Sequence, residues 1–444
     1  MSTPTPHAPD ALASTLQQAM QCQRQGQLDH AQALYQQVLA QAPQQADALH
    51  LLGVLHAQRR DFARAHELIW QAITVNPDEA MFHNNLANVC VERGMLHEAE
   101  PLYVRAIELD NGRIDALSNL GLLMSRTDRE EEAETLLARA VELDPGNTDW
   151  RQNLANLYLR LGRIPEALQL THDGLIRAPR SRVLKALLAQ SYQMSGLPDL
   201  AAEVLRAWIR DEPDDPYPHH HLPACTGEQV PERASDGYVA SVFDSFAKSF
   251  DAKLEKLSYK APALVAAEVA RLCGPPDKAL AVLDAGCGTG LCGPLLAPYA
   301  NQLTGVDLSE GMLRLAVERQ VYDGLFKGEL VAYLQASPAA FDLVVSADTL
   351  CYFGALEGFA AAAVGALRPG GLLVFTAEAL ADASPESGYR LQGHGRYSHM
   401  RRYVESVLQA AGLVGIALQP VILRNEGGLP VEGWLVSARA VGQH

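Results

Sequence analysis

The amino-acid sequence predicts two fold classes in series: an α-solenoid of repeated helix pairs, then a doubly wound α/β domain whose parallel sheet closes with an antiparallel hairpin. Three observations predict this. Small residues and prolines recur every 34 positions through the first half of the chain. From Leu280 onward, apolar strand segments alternate with amphipathic helices. At the head of that alternation lies a glycine cluster, "VLDAGCGTGLCG", residues 282–293. A chain of 444 residues is also too long for one ordinary core.

Composition narrows the classes. Hydrophobic residues make up 48% of the chain, which suits a globular protein. The most apolar stretch, "AAAVGALRPGGLLVF", is broken by Arg368, Pro369 and two glycines, so no membrane span is expected. The opening "MSTPTPHAPD" lacks the basic start and apolar core of a secretory signal. The cysteines are scattered and form no C-x-x-C. They read as free thiols of a reducing, cytoplasmic setting, with no disulfide framework and no metal site. A net charge of −16 argues against nucleic acid, whose binding needs a basic surface.

The repeat rests on independent columns. Ala31, Ala65, Ala99, Ala133, Ala167 and Ala201 fall on one grid. Pro43, Pro77, Pro145, Pro179 and Pro213 fall on a second, with Asn111 in the remaining slot. Leu52, Leu86, Leu120, Leu154 and Leu188 form a third column. Gly53 and Gly121, alternating with Ala87, Ala155 and Ala189, form a fourth. Small residues let two antiparallel helices approach, and the proline separates one unit from the next. These columns resemble the tetratricopeptide repeat, also 34 residues long. The resemblance covers residues 12–215 as six units, after a flexible tail over residues 1–11. It implies a solenoid whose concave face holds a protein or peptide partner. Asn85, Asn119 and Asn153 also recur at 34, with Asn88 and Asn156 as a partial second row. Such amides can bond a peptide backbone, as in the solenoid of the O-linked N-acetylglucosamine transferase family. They can equally serve the repeats themselves.

Residues 216–237 read as a linker because the segment is rich in proline and lacks a helical period. His219, His220, His221 and Cys225 offer no spaced ligand set, so a solvated segment is expected there. The next stretch, "YVASVFDSFAKSFDAKL", carries an apolar stripe of Val239, Val242, Phe243, Phe246, Phe250 and Leu254. Packing on the next domain falls to Phe243 and Phe246, and the cover of a ligand pocket to Tyr238 and Phe250.

The α/β elements follow in order. "ALAVLDAG" is the first strand and "LCGPLLAPYA" its helix. "QLTGVDLS" is the second strand and "EGMLRLAVERQ" its helix. "KGELVAYL" reads as a short third strand. "FDLVVSADTL" is the fourth, followed by the helix "ALEGFAAAAVGAL". "GLLVFTAE" is the fifth, followed by the helix in "SHMRRYVESVLQAAGL". Two final strands flank the Gly427-Gly428 turn, which gives a seven-stranded sheet.

The glycine cluster can be read in two frames. Gly288, Gly290 and Gly293 spell the dinucleotide fingerprint G-x-G-x-x-G. Gly286, Gly288 and Gly290, preceded by Asp284, spell D-x-G-x-G-x-G. An aspartate at the strand end suits a cationic ligand and repels a pyrophosphate. The second frame, the closing hairpin, "LRPGG" at residues 367–371 and the F-D-x-x-A-x-x-F-D lead-in from Phe243 to Asp251 resemble the Rossmann-like class I S-adenosylmethionine-dependent methyltransferases. The resemblance covers a domain of residues 238–444.

That resemblance implies S-adenosylmethionine as cofactor and assigns roles. Gly286, Gly288 and Gly290 let the backbone approach the ligand. Asp284 lies near its amino end, and Asp307 accepts the ribose hydroxyls. Leu308 and Met312 flank the adenine, while Glu329 and Leu330 sit where an acid, more often Asp, faces the adenine amine. Ala347 and Asp348 end strand four beside the reactive methyl. Candidates to hold or deprotonate a nucleophile are Asp348, Tyr352 and His399, with Glu378, His394, Arg396 and Tyr397 nearby. "SADTLCYF" is not the N-P-P-Y of nucleobase and glutamine-amide methyltransferases. The whole chain resembles predicted bacterial methyltransferases that carry tetratricopeptide repeats. Three roles follow: a protein methyltransferase with a recruiting solenoid, a small-molecule carboxyl or hydroxyl methyltransferase with a docking solenoid, or a scaffold with a degenerate pocket. Intact glycines with Asp284 and Asp307 speak against the last.

Overall fold

The structure, a computed structural model, describes residues 8–247, 250–381, 387–426 and 429–442. The Gly427-Gly428 turn and the Phe246 side chain lie outside the described residues. The chain divides into two compact units, Met1–Leu188 and Ala189–His444.

In the first unit antiparallel helix pairs repeat along the chain. Ala46–Gln58 pairs with Phe62–Val75, Ala80–Glu92 with Leu96–Leu109, and Ile114–Arg126 with Glu130–Leu143. The first helix is Ala8–Arg24, so it begins inside the stretch expected to be a tail. The small-residue columns set the approach distance. A Cβ on Gly53 would lie 2.6 Å from Ile69, and one on Gly121 would lie 2.8 Å from Leu137. The alanine column, from Ala31 to Ala167, is fully buried. Gln45, Glu79 and Asn147 recur on the same grid and cap their helices by accepting a backbone N–H. The carbonyls of two grid prolines are satisfied locally. His83 Nε2 lies 2.8 Å from the Pro77 carbonyl, and Arg151 Nε donates to that of Pro145 at 3.1 Å.

The asparagine columns cross from one repeat to the one before. Asn85 Nδ2 meets His50 Nε2 at 2.8 Å. Asn119 Nδ2 donates to Asn84 and Asn88 at 3.2 and 3.0 Å, and Asn153 Nδ2 donates to Ser118 at 3.0 Å.

In the second unit the expected linker is corrected over half its length, because Pro216–Thr226 is an α-helix. Asp215 caps it through the Tyr217 N–H at 3.1 Å, and Gly227 ends it at φ +69°. Pro216 and Pro218 stand in the first turn, where backbone N–H groups have no intrahelical partner, so proline costs nothing there. His220 and His221 are buried, not solvated. Helix Asp236–Phe246 follows.

The sheet contains β1 (Leu280–Ala285), β2 (Ala300–Asp307), β3 (Gly324–Lys327), β4 (Phe341–Ser346), β5 (Leu367–Leu380), β6 (Tyr389–Leu391), β7 (Tyr397–Met400), β8 (Leu413–Glu426) and β9 (Leu429–Ala440). β3-β2-β1-β4-β5 run parallel. β9 then pairs antiparallel with β5, and β8 antiparallel with β9. Three expectations change. β3 precedes "KGELVAYL", whose residues instead form helix Leu330–Gln335 because Glu329 accepts the Val331 and Ala332 N–H groups. The helix after β1 is only Gly293–Leu296. Among the described residues the sheet has nine strands and not seven, because "GYRLQGHGRYSH" supplies β6 and most of β7, and β7 pairs parallel with Glu378–Leu380 of β5. The strand order reverses between β1 and β4, which opens a crevice at their carboxyl ends.

Candidate active site

A cavity of about 320 Å³ lies at that crevice. One wall is the turn after β1. Gly286, at φ +77°, has no room for a side chain, since a Cβ would lie 2.2 Å from Thr349 Oγ1. Gly288, at φ +53°, faces open space and presents bare backbone to the cavity. Gly290 packs against Tyr322 instead and does not line the cavity.

Two carboxylates flank this turn. Asp284 is 1% exposed and accepts the Tyr322 hydroxyl at 2.6 Å. Burial pushes its carboxyl up to about 7; the Tyr322 hydrogen bond opposes this and the charge of Asp307 adds to it. Asp307 ends β2. It accepts the Gly288 N–H at 2.9 Å and the Ser309 N–H at 2.8 Å. Burial raises its carboxyl above the usual range, partly offset by those N–H groups. Leu308, Met312, Glu329 and Leu330 continue the lining, and both Glu329 oxygens are engaged as the helix cap described above.

The two Phe-Asp pairs of the lead-in, Phe243-Asp244 and Phe250-Asp251, meet the turn, and each pair divides its labour. Phe243 and Phe250 line the cavity with ring centroids 5.8 Å apart. Asp244 accepts from Ser309 Oγ at 2.5 Å and from the Gly311 N–H at 3.1 Å. Asp251 accepts from Thr289 Oγ1 at 2.5 Å and pairs with Arg319. Aromatic rings therefore cover the pocket, and the adjoining carboxylates fasten that cover to the loops after β1 and β2.

The opposite wall is charged. Asp348 follows β4 at φ +58°, and its N–H donates to Thr376 Oγ1 at 2.8 Å. Arg424 of β8, 3% exposed, donates to Asp348 Oδ2 at 2.6 Å, to Glu426 Oε1 at 2.7 Å and to Glu378. Arg396 donates to Glu378 at 2.7 Å and to Glu426 at 2.5 Å. Burial raises the Asp348 carboxyl, and Arg424 opposes that shift. Ala347, Tyr259 and Tyr352 complete the wall, with burial raising both phenols.

Besides Gly290, two further expected residues do not reach the cavity. His399 is fully buried with Nε2 3.1 Å from the Gly354 carbonyl, and burial lowers its imidazole to about 4. Tyr238 stacks on His220 at 3.9 Å, and its hydroxyl lies 3.1 Å from His221 Nε2. His220 in turn meets the Gly395 carbonyl at 2.8 Å, next to Arg396. Sequence reasoning missed Arg424 and Glu426. The available signal was an R-N-E triplet breaking the apolar run "VIL" in a predicted strand.

The residues present fit a ligand carrying an ammonium and vicinal hydroxyls. Bare backbone at Gly288 lies beside the buried carboxylate of Asp284 and the half-buried one of Asp307, a setting that would repel a pyrophosphate. Comparisons with known proteins agree with this chemistry. The family described as "Methyltransferase domain" matches residues 283–375, and tetratricopeptide repeat families match residues 23–89, 78–146 and 131–190. The chain is 37% identical over 75 residues to an 18S rRNA (guanine-N(7))-methyltransferase of Bos taurus, covering 17% of this chain and 27% of that protein. It is 32% identical to a malonyl-[acyl-carrier protein] O-methyltransferase of Enterobacter lignolyticus, covering 40% of this chain and 68% of that one. It is 30% identical to a ubiquinone biosynthesis O-methyltransferase of Idiomarina loihiensis, covering 36% of this chain and 70% of that one. The match thus spans about a quarter of the first relative and about two thirds of the other two. The chain belongs to the S-adenosylmethionine-dependent methyltransferases. It is a member that also carries tetratricopeptide repeats.

Proposed function

We propose that this chain methylates a protein or peptide that its repeat solenoid recruits, with the cavity of the second unit as the transfer site. The observation that carries the site is the pairing of walls: a glycine turn between Asp284 and Asp307 on one side, Asp348 on the other. Bound S-adenosylmethionine supplies a methyl carbon already activated by its sulfonium. Asp284 meets the ammonium, the Gly286 and Gly288 backbone lies along the ligand, and Asp307 accepts from the ribose. Leu308, Met312 and Leu330 bury the base, and Phe243 and Phe250 exclude water. Asp348 and Tyr352 orient the acceptor, since positioning dominates a displacement of this kind. The recruiting role of the solenoid is supported by the repeats themselves, which commonly mediate protein interactions. A second reading, a small-molecule acceptor, draws support from the relatives named for ubiquinone biosynthesis and malonyl-[acyl-carrier protein].

The test adds full-length protein and methyl-tritiated S-adenosylmethionine to a cell extract lacking it. Acid-precipitated label released by protease is expected. Label confined to the acid-soluble fraction would replace the first reading with the second. Asp307→Ala should weaken S-adenosylhomocysteine binding about 10-fold or more, read by calorimetry, through loss of a charge-assisted pair. Unchanged affinity would remove Asp307 from the ligand site.

A further inference from the structure

Resting on the methyltransferase reading of this cavity, we infer that its methyl acceptor is a group that brings its own hydrogen, an amine or a hydroxyl, and not a carboxylate. The arginines of the charged wall are already engaged. All three Arg424 nitrogens donate to carboxylates: Nε to Glu426, one terminal nitrogen to Asp348, the other to Glu378. Arg396 gives Nε to Glu378 and a terminal nitrogen to Glu426. The two guanidinium groups therefore face three carboxylates, and the wall carries a surplus negative charge. Near this wall, Arg233 pairs with Asp236 at 2.5 Å and donates to the Ala234 carbonyl at 3.1 Å. Among the described residues, Lys253, on the lead-in helix Phe250–Lys256, is the other cation lining the cavity.

A carboxylate acceptor asks for a guanidinium or ammonium to neutralise it. Here it would instead add a fourth carboxylate to a wall whose arginines are already engaged, at a real electrostatic cost in a desolvated site. An N–H or O–H acceptor meets the opposite situation. Asp348 Oδ2 is held by Arg424, but Oδ1 has no hydrogen-bond partner among the described residues. Asp348 lines the cavity, and an unpartnered carboxylate oxygen there can accept the N–H or O–H of such a group. The surplus negative charge also favours an amine over a neutral oxygen acid.

The transfer balances on these residues. The acceptor's lone pair forms the new bond to the methyl carbon. The carbon–sulfur bond breaks with its pair remaining on sulfur. The acceptor's proton passes to the Asp348 carboxylate and from there to water. A carboxylate acceptor would need no such proton acceptor, which would leave the placement of Asp348 without chemical use.

The experiment uses the full chain, methyl-tritiated S-adenosylmethionine and a cell extract, followed by mild alkali. Carboxyl methyl esters release volatile methanol, whereas N-methyl groups and methyl ethers keep their label. Non-volatile label is expected. Volatile label would overturn the inference while leaving the methyltransferase reading in place. Absence of S-adenosylhomocysteine binding to the native chain would overturn that reading itself. In Asp348→Asn, transfer should fall about 10²-fold or more, while calorimetry with S-adenosylhomocysteine stays within a few-fold of the native value. Full transfer by that variant would take the proton-accepting role away from Asp348.

Discussion

At the scale of single residues, Asp284 has the most to say about ligand binding. Its carboxyl is buried at the end of β1 and titrates up to about 7, chiefly because burial penalises its charge. In the unfolded chain the same group ionises near 3.8. The folded state therefore holds the extra proton between these values, and stability contributed by the neutral form declines as pH rises through about 7. A cationic ligand reverses the preference, because it pairs only with the carboxylate. S-adenosylhomocysteine affinity is thus expected to fall as pH drops below about 7, approaching tenfold per unit once Asp284 is fully protonated in the free protein. Calorimetry across pH 5.5 to 8 measures the slope. Asp284→Asn should bind more weakly and lose that slope. A native affinity flat through this range would show that Asp284 does not meet the ligand's ammonium.

Asp284, Gly286 and Gly288 were legible in the sequence because one strand end and its turn hold them in fixed spacing, and Asp307 because it closes the strand that follows. Arg424 was not. Its partners Asp348 and Glu378 lie 76 and 46 residues away, and only the crossing of β4, β5 and β8 brings them together. A strand arginine reads as an edge residue until its carboxylates are known. His399 failed for the converse reason. Its residue type suits a base, but its position in β7 buries it behind Gly354.

At the scale of elements, helix Pro216–Thr226 holds the loop that presents Arg396. His220 and His221 reach the β6–β7 turn. His220 Nε2 meets the Gly395 carbonyl at 2.8 Å, and a Cβ on Gly395 would lie 2.7 Å from the Tyr238 hydroxyl. Proline density concealed this helix, yet the repeat grid pointed to it. Pro213 occupies the column that precedes a helix, and Asp215 stands 68 residues after the cap Asn147. Its His219 even meets the Pro213 carbonyl at 2.7 Å, as His83 meets that of Pro77. His220→Ala removes both the bond and the stack on Tyr238. It is expected to speed amide exchange over residues 389–396 and to lower transfer about 10-fold, the loss expected for a hydrogen bond of about 1–1.5 kcal/mol. S-adenosylhomocysteine affinity should hold, and His220→Gln, which keeps a donor, should recover part of the activity. Unchanged exchange in that loop would leave His220 as packing alone.

At the scale of the whole chain, periodic information was the easiest to read and the hardest to assign. The alanine, leucine and proline columns state a helix pair, because each answers a local packing need that recurs with the unit. The asparagine columns are different: the same amide can bind a peptide or a neighbouring repeat. Asn119 donates to Asn84 at 3.2 Å and to Asn88 at 3.0 Å, both on helix Ala80–Glu92 of the preceding repeat. Asn153 and Asn85 repeat the arrangement one unit to either side. Solenoid stability is close to a sum of such nearest-neighbour contacts. Asn119→Ala takes the Asn119 donor from the buried Asn84 carbonyl and leaves Asn88 Oδ1 with the Tyr103 hydroxyl, so it should destabilise the first unit by about 1–3 kcal/mol. Urea unfolding followed by helical circular dichroism reads this directly. S-adenosylhomocysteine binding, which belongs to the second unit, should not move. If the variant kept its urea midpoint but lost protease-releasable label in the extract assay, the amide would belong to a peptide partner. A lowered midpoint with labelling retained at temperatures where the repeats stay folded would make the column a stitch between repeats, and recognition would fall to other residues of the solenoid.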